Sequence, residues 1–279
     1  MTGIDQLIES ALAEDIGEGD HTSLACIPAN TKGKARLLVK EEGIIAGLDI
    51  AAKVFNKVDP LLKIEFLLSD GATIHKGDVA FIIEGSSISI LSSERVVLNF
   101  LQRMSGIATF THKLVSKIEG LKTKILDTRK TSPGLRIIEK MAVKIGGGEN
   151  HRMGLYDMIM IKDNHVDFAG GIENAIKATH KYLSEKNNQL LIEIEARNLE
   201  DVKKIIAFGG VNIIMLDNFT IENCRRAVEM IDGKFKTEAS GGINESTIRA
   251  YAETGVDYIS VGALTHQIKS LDMSLKAIK

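Results

Sequence analysis

The second half of the chain alternates short apolar runs with segments of helical pattern, and this alternation limits the possible folds more than any other feature. Segments of helical periodicity, such as IENCRRAVEMI and NESTIRAYAETG, lie between the runs. Parallel strands need long crossover connections, so the alternation predicts a parallel sheet with helices between its strands. The six runs are KILDT, YDMIMIK, LLIEIEA, VNIIMLD, FKTEA and DYISVGA.

The spacing of these runs favours a TIM-like (β/α) barrel. Glu195 and Asp217 are 22 residues apart, and Ser240 and Gly262 are again 22 residues apart. This period is close to the smallest βαβ repeat, and its regularity is typical of a barrel. The alternative is an open, doubly wound sheet. A dinucleotide-binding version of that sheet is disfavoured, because no G-x-G-x-x-G motif follows the first run.

The first hundred residues have a mixed α and β character. Residues 4–12 carry apolar side chains at helical spacing, and later runs such as KARLLVKE and VAFIIEG predict strands. A long helix is expected over SERVVLNFLQRMSGIATFTHKLVSKIE, with Ser92 or Ser93 as its N-cap. We place a domain boundary inside this helix, which gives an N-terminal domain over residues 1–106 and a barrel domain over residues 107–265.

Polar side chains follow each apolar run of the second half. In a parallel barrel the carboxyl ends of the strands meet at one mouth, so residues far apart in sequence share a site there. A single polar residue after a strand more often begins a solvated loop, but six such ends in register predict a functional site. These ends carry Asp127-Thr128-Arg129-Lys130, Lys162-Asp163-Asn164-His165, Glu195, Asp217-Asn218, Ser240-Gly241-Gly242 and Gly262.

Cations are concentrated among these ends. Two neighbouring unit charges repel by roughly 4 kcal/mol at about 4 Å and an effective dielectric constant near 20, so such a cluster favours bound anions. Arginine grips carboxylates and phosphates with paired hydrogen bonds. Arg136 and Lys144 are close in sequence but are more simply interpreted as surface charges. The candidate anion-binding residues are Arg129, Lys130, His151, Arg152 and Lys162.

Two glycine turns predict a phosphate site. Ser240-Gly241-Gly242 precedes a helical pattern from Asn244, and Gly262 follows the next strand. Glycine lets backbone N–H groups approach an oxyanion, and a helix N-terminus favours negative charge. A single glycine turn is a weak signal, but two in adjacent units are typical of the phosphate sites of such barrels.

Glu195 and Asp217 are acids that end apolar runs at the predicted mouth. Their carboxylates could coordinate Mg²⁺, bind sugar hydroxyls or act as acid and base. Glu193 alternates with Glu195 along the same strand, so both side chains are expected on one face and periodicity does not separate them. His151 and His165 are candidate acids or hydrogen-bond donors.

Composition narrows the class of function. The chain has 279 residues, with 35 Lys and Arg against 37 Asp and Glu, so a broad basic surface for nucleic acid is not expected. No apolar run reaches the roughly 18 residues of a membrane span. No secretory signal pattern is present, and the two cysteines form no C-x-x-C motif. We therefore expect a cytoplasmic protein.

These motifs together resemble the quinolinate phosphoribosyltransferase family. The resemblance covers almost the whole chain, and its most specific segments are DTRKTSPG, GGGENHR and KDNH. It implies an α/β fold with an N-terminal α/β sandwich domain and an incomplete TIM-like barrel. It also implies that residues 266–279 return to the first domain.

The resemblance further implies a pentosyltransferase activity. The enzyme would transfer phosphoribosyl from phosphoribosyl pyrophosphate to quinolinate with decarboxylation, giving nicotinate mononucleotide, pyrophosphate and CO2 in NAD biosynthesis. The implied cofactor is Mg²⁺, and the implied assembly is a homodimer or a higher homo-oligomer. Arg95 would enter the site from a neighbouring subunit.

The resemblance assigns roles by position. Arg129, Lys130, His151, Arg152 and Lys162 would hold quinolinate and part of the phosphoribosyl pyrophosphate. Glu195 and Asp217 would face the ribose and its Mg²⁺, directly or through substrate, and together with Lys162 form the catalytic set. Ser240, Gly241, Gly242 and Gly262 would receive the 5'-phosphate.

Two alternatives stay open at this point. A lysine at a barrel strand end is also how Schiff-base aldolases present their nucleophile, and Lys162 fits that position. A related phosphoribosyltransferase that acts on another base is the second alternative. The number of cationic strand ends favours quinolinate over both.

Overall fold

A computed structural model describes residues 3–278, which divide into two compact units. The first unit comprises residues 3–112, 131–147 and 264–278. The second unit comprises residues 113–130 and 148–263. Residues 131–147 therefore belong to the first unit, although the sequence places them in the barrel domain.

The helices and strands follow one another along the chain. The first part contains α1 (Gly3–Ile16), α2 (His21–Cys26), β1 (Lys32–Val39), β2 (Gly43–Ile44), α3 (Leu48–Val58), β3 (Lys63–Phe66), β4 (Thr73–Ile74), β5 (Val79–Ser86) and α4 (Ser87–Lys117). The middle contains β6 (Lys124–Leu126), α5 (Arg136–Ile145), β7 (Ile159–Ile161), α6 (Asp163–Phe168), α7 (Ile172–Lys186), β8 (Ile192–Ala196) and α8 (Leu199–Phe208). The last part contains β9 (Ile213–Asp217), α9 (Ile221–Ile231), β10 (Lys236–Ser240), α10 (Ile248–Ala252), β11 (Tyr258–Ser260), α11 (Ala263–His266) and β12 (Met273–Ile278).

The first unit is built on a four-stranded antiparallel sheet in the order β12-β1-β5-β3. The last strand of the chain pairs with β1 from Lys34 opposite Ile278 to Val39 opposite Met273. Apolar side chains of α3 and β5 form the core, where the rings of Phe55 and Phe81 meet edge to face at 5.7 Å.

The long helix α4 begins at Ser87, several residues before the predicted start, so the N-cap prediction at Ser92 or Ser93 is wrong. The Ser93 hydroxyl donates to the carbonyl of Ser89 at 2.7 Å, which is a bond made inside a helix. The hydroxyl of Ser86 accepts the N–H of Ser89 at 3.3 Å. The sequence contains two serine pairs, Ser86-Ser87 and Ser92-Ser93, and Ser86 of the earlier pair caps the helix.

A buried ion pair accounts for the place of α5 in the first unit. Glu139 is fully buried and accepts two bonds from the Arg103 guanidinium, which projects from α4. The other oxygen of Glu139 accepts the N–H of Ser132 at 3.1 Å. A buried carboxylate needs such partners, so segment 131–147 is held to the helix that carries Arg103.

The second unit contains a six-stranded parallel sheet in the order β6-β11-β10-β9-β8-β7. The first strand in sequence pairs with the last, so the sheet curls as a barrel does and stays open between β6 and β7. One parallel bridge, from Leu126 to Glu149, extends the β6 edge. The predicted incomplete (β/α) barrel is confirmed, and the six predicted runs are its six strands.

Within residues 3–278, no helix combines the length and apolar character needed to cross a bilayer. Cys26 is exposed and Cys224 is buried, and neither forms a disulfide.

Candidate active site

The site is assembled from the carboxyl ends of the strands in the second unit. Arg129 and Lys130 follow β6, Lys162 follows β7, and Glu195 lies near the end of β8. Asp217 ends β9, Ser240 ends β10, and Gly262 comes two residues after β11. Because all six strands are parallel neighbours, these positions share one end of the sheet.

Lys162 and Glu195 form the central ion pair of this end. The Nζ atom of Lys162 lies 2.5 Å from Glu195 Oε1, and the other carboxylate oxygen accepts the N–H of Asp163 at 3.2 Å. Glu195 is 8% exposed. The side chain of the lysine is half-exposed, so its ammonium group is both paired and open to solvent.

Asp217 lies within electrostatic range of this pair. Burial raises the pKa of Asp217, the charge of Glu195 raises it further, and Lys162 opposes both effects. The carboxylates of Asp217 and Glu195 repel each other at this end of the sheet unless a cation or hydroxyl donors bind to them. This arrangement fits a divalent cation or the hydroxyls of a sugar.

His165 has a local structural role beside Lys162. Its Nδ1 atom accepts the backbone N–H of Lys162 at 2.9 Å, at the start of α6. Nδ1 therefore holds the backbone of Lys162 in place. The role of acid or hydrogen-bond donor suggested by the sequence stays a prediction for the other ring nitrogen of His165.

Arg129 and Arg152 are electrostatic neighbours. Burial lowers the pKa of Arg152, and the positive charge of Arg129 lowers it further. The Arg152 guanidinium donates from Nη1 to the carbonyl of Met158 at 3.2 Å. Because the charge of Arg129 disfavours that of Arg152, the two side chains favour a bound anion, which is the property predicted from the sequence.

The remaining cations considered from the sequence lie on the loop after β6 and on helices of the first unit. Lys130 is exposed, and its backbone N–H donates to Thr128 Oγ1 at 3.1 Å. Arg136 donates from Nε to Thr131 Oγ1 at 3.0 Å and lies with Lys144 on α5 of the first unit. Arg95 lies on an exposed position of α4, also in the first unit.

A buried cluster of three side chains, His151, Glu193 and Glu238, includes two glutamates that lie two residues before the strand-end positions Glu195 and Ser240. The Nε2 atom of His151 is 2.9 Å from Glu193 Oε2 and 3.4 Å from Glu238 Oε2. Burial lowers the pKa of His151, but the two glutamates outweigh burial and raise it overall. Burial and the charge of Glu238 raise the pKa of Glu193, against the effect of His151.

The structure separates the two glutamates of β8 that periodicity leaves together. Both side chains point to the same side of the strand, as predicted, but Glu193 contacts His151 whereas Glu195 contacts Lys162. Sequence reasoning missed Glu238. Its signal was available, because Glu238 stands two residues before Ser240 just as Glu193 stands two residues before Glu195.

The turn after β10 has the backbone that only glycine adopts easily. Gly241 has φ +99° and Gly242 has φ +63°. A Cβ atom at Gly241 would lie 2.1 Å from the side-chain oxygen of Asn218. The N–H of Asn218 donates to the carbonyl of Ser240 at 2.8 Å, so the two adjacent strand ends are tied at this point.

The helix predicted from Asn244 begins only at Ile248 and has five residues. Asn244 instead forms a turn, because its side-chain oxygen accepts the N–H of Ser246 at 2.9 Å. The helix-dipole part of the phosphate argument is therefore wrong, and the glycine backbone is the part that remains.

Comparison with known proteins identifies the relatives of this chain. Residues 20–105 match the family described as "Quinolinate phosphoribosyl transferase, N-terminal domain", and residues 107–276 match its C-terminal domain. The chain is 48% identical to a chloroplastic carboxylating nicotinate-nucleotide pyrophosphorylase of Arabidopsis thaliana, over 97% of this chain and 81% of that protein. A probable enzyme of the same name from Bacillus subtilis is 43% identical, over 97% of this chain and 92% of that protein.

Solved structures show the same fold. The crystal structure of NadC from Streptococcus pyogenes superposes with a TM-score of 0.93 at 38% identity, covering 99% of this chain and 97% of that chain. The nicotinate-nucleotide pyrophosphorylase from Francisella tularensis gives a TM-score of 0.93 at 42% identity, covering 99% and 96%.

Proposed function

The chain belongs to the quinolinate phosphoribosyltransferase family, and from this we propose that it transfers phosphoribosyl from phosphoribosyl pyrophosphate to quinolinate with loss of CO2. The product is nicotinate mononucleotide, an intermediate of NAD biosynthesis. The observation that carries the proposal is the pair of neighbouring arginines, Arg129 and Arg152, at the same end of the sheet as the Lys162–Glu195 ion pair.

The cations bind the acidic ring. Quinolinate carries two carboxylates, and each guanidinium can grip one of them with paired hydrogen bonds. Arg129 and Arg152 are the main ligands in this proposal, and Lys130 adds positive charge from the loop after β6. The anion relieves the repulsion between the two arginines, so binding is favoured where the free site is electrostatically strained.

The carboxylates serve the ribose. Breaking the bond between C1' and pyrophosphate leaves positive charge on the sugar ring, and the pyridine nitrogen then forms the new C–N bond. Glu195 and Asp217 can bind the ribose hydroxyls and stabilise that charge. The 5'-phosphate is assigned to the backbone of Ser240, Gly241, Gly242 and Gly262.

Mg²⁺ is proposed as the metal of the reaction. The mutual repulsion of Glu195 and Asp217 fits a divalent cation. These two residues would hold the ion, directly or through bound substrate, and the ion would supply positive charge that neutralises the leaving pyrophosphate.

Asp217→Asn should lower turnover without unfolding the protein, and an unchanged rate at limiting Mg²⁺ would remove Asp217 from this role.

Decarboxylation follows from the chemistry of the product ring. Once the C–N bond forms, the ring is a pyridinium, which accepts the electron pair left when the adjacent carboxylate departs as CO2. A proton then replaces the carboxylate on the ring carbon. Lys162 is the candidate donor of this proton, because its half-exposed ammonium group lies at the carboxyl end of the sheet with the other site residues.

The Schiff-base alternative is not favoured by the geometry. A lysine nucleophile must lose its proton, and Lys162 is held in an ion pair with Glu195 at 2.5 Å. The second alternative, a related enzyme that acts on another base, is separated by the assay below.

The deciding experiment is an assay of the purified protein with phosphoribosyl pyrophosphate and Mg²⁺. Quinolinate and nicotinate are supplied in parallel, and CO2 and pyrophosphate are followed. We expect both products from quinolinate and no pyrophosphate from nicotinate. Pyrophosphate release from nicotinate but not from quinolinate would overturn the proposal, and so would inactivity with both.

The assembly and location remain predictions. We propose a homodimer or larger homo-oligomer in which Arg95 contributes to a neighbouring subunit's site. A cytoplasmic location is predicted from the sequence, whereas the plant relatives are named chloroplastic or mitochondrial.

A further inference from the structure

The loop of residues 153–157 connects Arg152 to β7 and contains no helix or strand of its own. The side chains at its outer end are exposed, with Leu155 at 71% and Tyr156 at 72%. Exposed irregular segments with few buried contacts open easily. Because Arg152 is assigned to quinolinate, the loop needs internal contacts if it is to hold that arginine in one place.

Asp157 supplies these internal contacts. Its Oδ2 atom accepts the N–H of Met153 at 2.6 Å, and its Oδ1 atom accepts the N–H of Gly154 at 2.9 Å. Burial raises the pKa of Asp157, but the two N–H bonds and the charge of Arg152 outweigh burial and lower it overall. The carboxylate is therefore ionised at neutral pH, and hydrogen bonds to an ionised acceptor are stronger than those between neutral groups.

The Arg152 guanidinium lies against the far end of the same loop. It donates from Nη1 to the Met158 carbonyl at 3.2 Å, and its Nη2 atom lies 3.6 Å from the sulfur of Met160 on β7. A guanidinium has more N–H donors than these contacts use, so others can bind a carboxylate. The arginine and its backbone acceptor stand at the two ends of the loop, so the shape of the loop sets where the guanidinium lies.

The charge of Asp157 acts on this site in two opposite ways. Burial lowers the pKa of Arg152 and the charge of Arg129 lowers it further, whereas the charges of Glu193 and Asp157 oppose both effects. The same negative charge repels an acidic substrate. As a charge alone, Asp157 therefore weakens the binding of a dianion, and its benefit to binding must come from the geometry of the loop.

We propose that Asp157 is a positioning residue, which fixes the loop of residues 153–157 and thereby holds the Arg152 guanidinium in the orientation that binds a carboxylate of quinolinate. The inference rests on the proposed function, because that function assigns Arg152 to quinolinate. Displacing a binding group by about 1 Å can cost on the order of a hundredfold in rate, so the restraint matters for function.

The kinetic test uses Asp157→Asn and Asp157→Ala. Asparagine keeps the size of the side chain and one acceptor oxygen, whereas alanine keeps no acceptor. We expect the KM for quinolinate to rise by about tenfold in Asp157→Asn and further in Asp157→Ala, with smaller changes in kcat. The KM for phosphoribosyl pyrophosphate should change much less than the KM for quinolinate.

The direction of the change separates positioning from electrostatics. Loss of a repelling charge alone would lower the KM for quinolinate in both variants, and this result would overturn the proposal. A KM within about twofold of the unmodified protein, with only a lower unfolding temperature, would show a purely structural role and contradict it as well. A rise in the Mg²⁺ requirement without a rise in the KM for quinolinate would make Asp157 a metal ligand instead.

Asp167→Asn is the matched control. Asp167 is an exposed carboxylate on α6 of the same unit, and it accepts a bond from the Arg197 guanidinium at 3.1 Å. The substitution removes the same charge and leaves the loop of residues 153–157 intact. Its KM for quinolinate should stay within about twofold of the unmodified protein.

A double-mutant cycle tests the route through Arg152. Arg152→Lys keeps the charge but loses the paired donors of the guanidinium. Because Asp157→Asn and Arg152→Lys disturb the same contact, the combined rise in the KM for quinolinate should be smaller than the product of the two single effects. Effects that multiply would show that Asp157 acts independently of Arg152 and would contradict the proposal.

Amide hydrogen exchange tests the restraint in the free protein, without substrate. The N–H groups of Met153 and Gly154 should exchange about tenfold faster in Asp157→Ala and at the unmodified rate in Asp167→Asn. Equal rates in all three proteins would mean that the carboxylate does not fix the loop. Inactivity of the unmodified protein with quinolinate would instead overturn the proposed function, and the exchange result distinguishes the two failures.

Discussion

Gly241 and Gly242 show how much a single residue's surroundings matter. Both have positive φ, so a side chain strains the backbone at either position. They differ in space, because a Cβ at Gly241 would collide with Asn218, whereas a Cβ at Gly242 has no atom within 4 Å. Both positions therefore favour glycine because of their positive φ, and Gly241 also requires it because the side chain of Asn218 is close.

The first prediction compares these two glycines. Gly241→Ala should raise the KM for phosphoribosyl pyrophosphate strongly, because the turn assigned to the 5'-phosphate must move away from Asn218. Gly242→Ala carries only backbone strain, about 1–2 kcal/mol, and serves as the matched control. Steady-state kinetics and thermal unfolding of both variants check this. Equal effects would show that backbone strain alone accounts for the loss.

At the scale of elements, α4 holds the C-terminal segment of the chain. The N–H of Leu271 donates to the Gln102 carbonyl at 3.0 Å, and the Gln102 side chain donates to the Met273 carbonyl at 3.0 Å. Gly106 permits this approach, since a Cβ there would lie 2.3 Å from the carbonyl oxygen of Lys269. The helix thereby directs the chain into β12.

The second prediction is that Gly106→Ala destabilises the protein although alanine is the better helix former. Alanine gains about 1 kcal/mol in helix propensity, but the collision with Lys269 costs about 1–3 kcal/mol or displaces the segment that enters β12. Asn99→Ala, at an exposed position of the same helix, is the control and should be neutral or slightly stabilising. Denaturant unfolding measures both, and a stabilised Gly106→Ala would refute the close contact.

The third prediction concerns Asp257, which joins β10 to the start of β11. Its carboxylate accepts bonds from Lys236 Nζ at 2.9 Å and from the N–H and hydroxyl of Thr237 at 3.0 Å. Burial alone raises its pKa, but these bonds outweigh burial and lower it. A lowered pKa means that the stabilisation is complete above the carboxyl's ordinary pKa and is lost as pH falls through the lowered value.

Asp257→Asn should therefore unfold at lower denaturant concentration at neutral pH, by about 1–2 kcal/mol in free energy. The difference from the unmodified protein should shrink as the pH falls into the strongly acidic range. Unfolding curves across pH measure this difference. A gap that is constant with pH would mean that the ionised form of Asp257 contributes nothing.

At the scale of the whole molecule, the prediction from Arg95 concerns assembly. Arg95→Ala subunits and Lys162→Ala subunits are each expected to have little activity. When the two are mixed, a site with an intact Lys162 can receive an intact Arg95 from its partner, so part of the activity should return. Activity assays before and after mixing, with sedimentation to confirm exchange of subunits, check this. No recovery in exchanged samples would contradict a shared site.

The sequence by itself determined the parallel strands, their polar ends and the glycine turns, because apolar periodicity and turn chemistry are local properties. Local signals were insufficient where two choices satisfied the same pattern. Ser86 rather than Ser92 or Ser93 caps α4, and Asn244 forms a turn where a helix was predicted.

Only the tertiary structure decided which side chains meet. Periodicity places Glu193 and Glu195 on one face of β8. Their partners, His151 and Lys162, come from separate segments of the chain, and the sequence does not show which segment packs beside which glutamate. The same holds for Glu238, whose contact with His151 joins positions 87 residues apart (238 − 151). A buried charge is given its role by the groups that surround it, and those groups come together only when the sheet has closed around them.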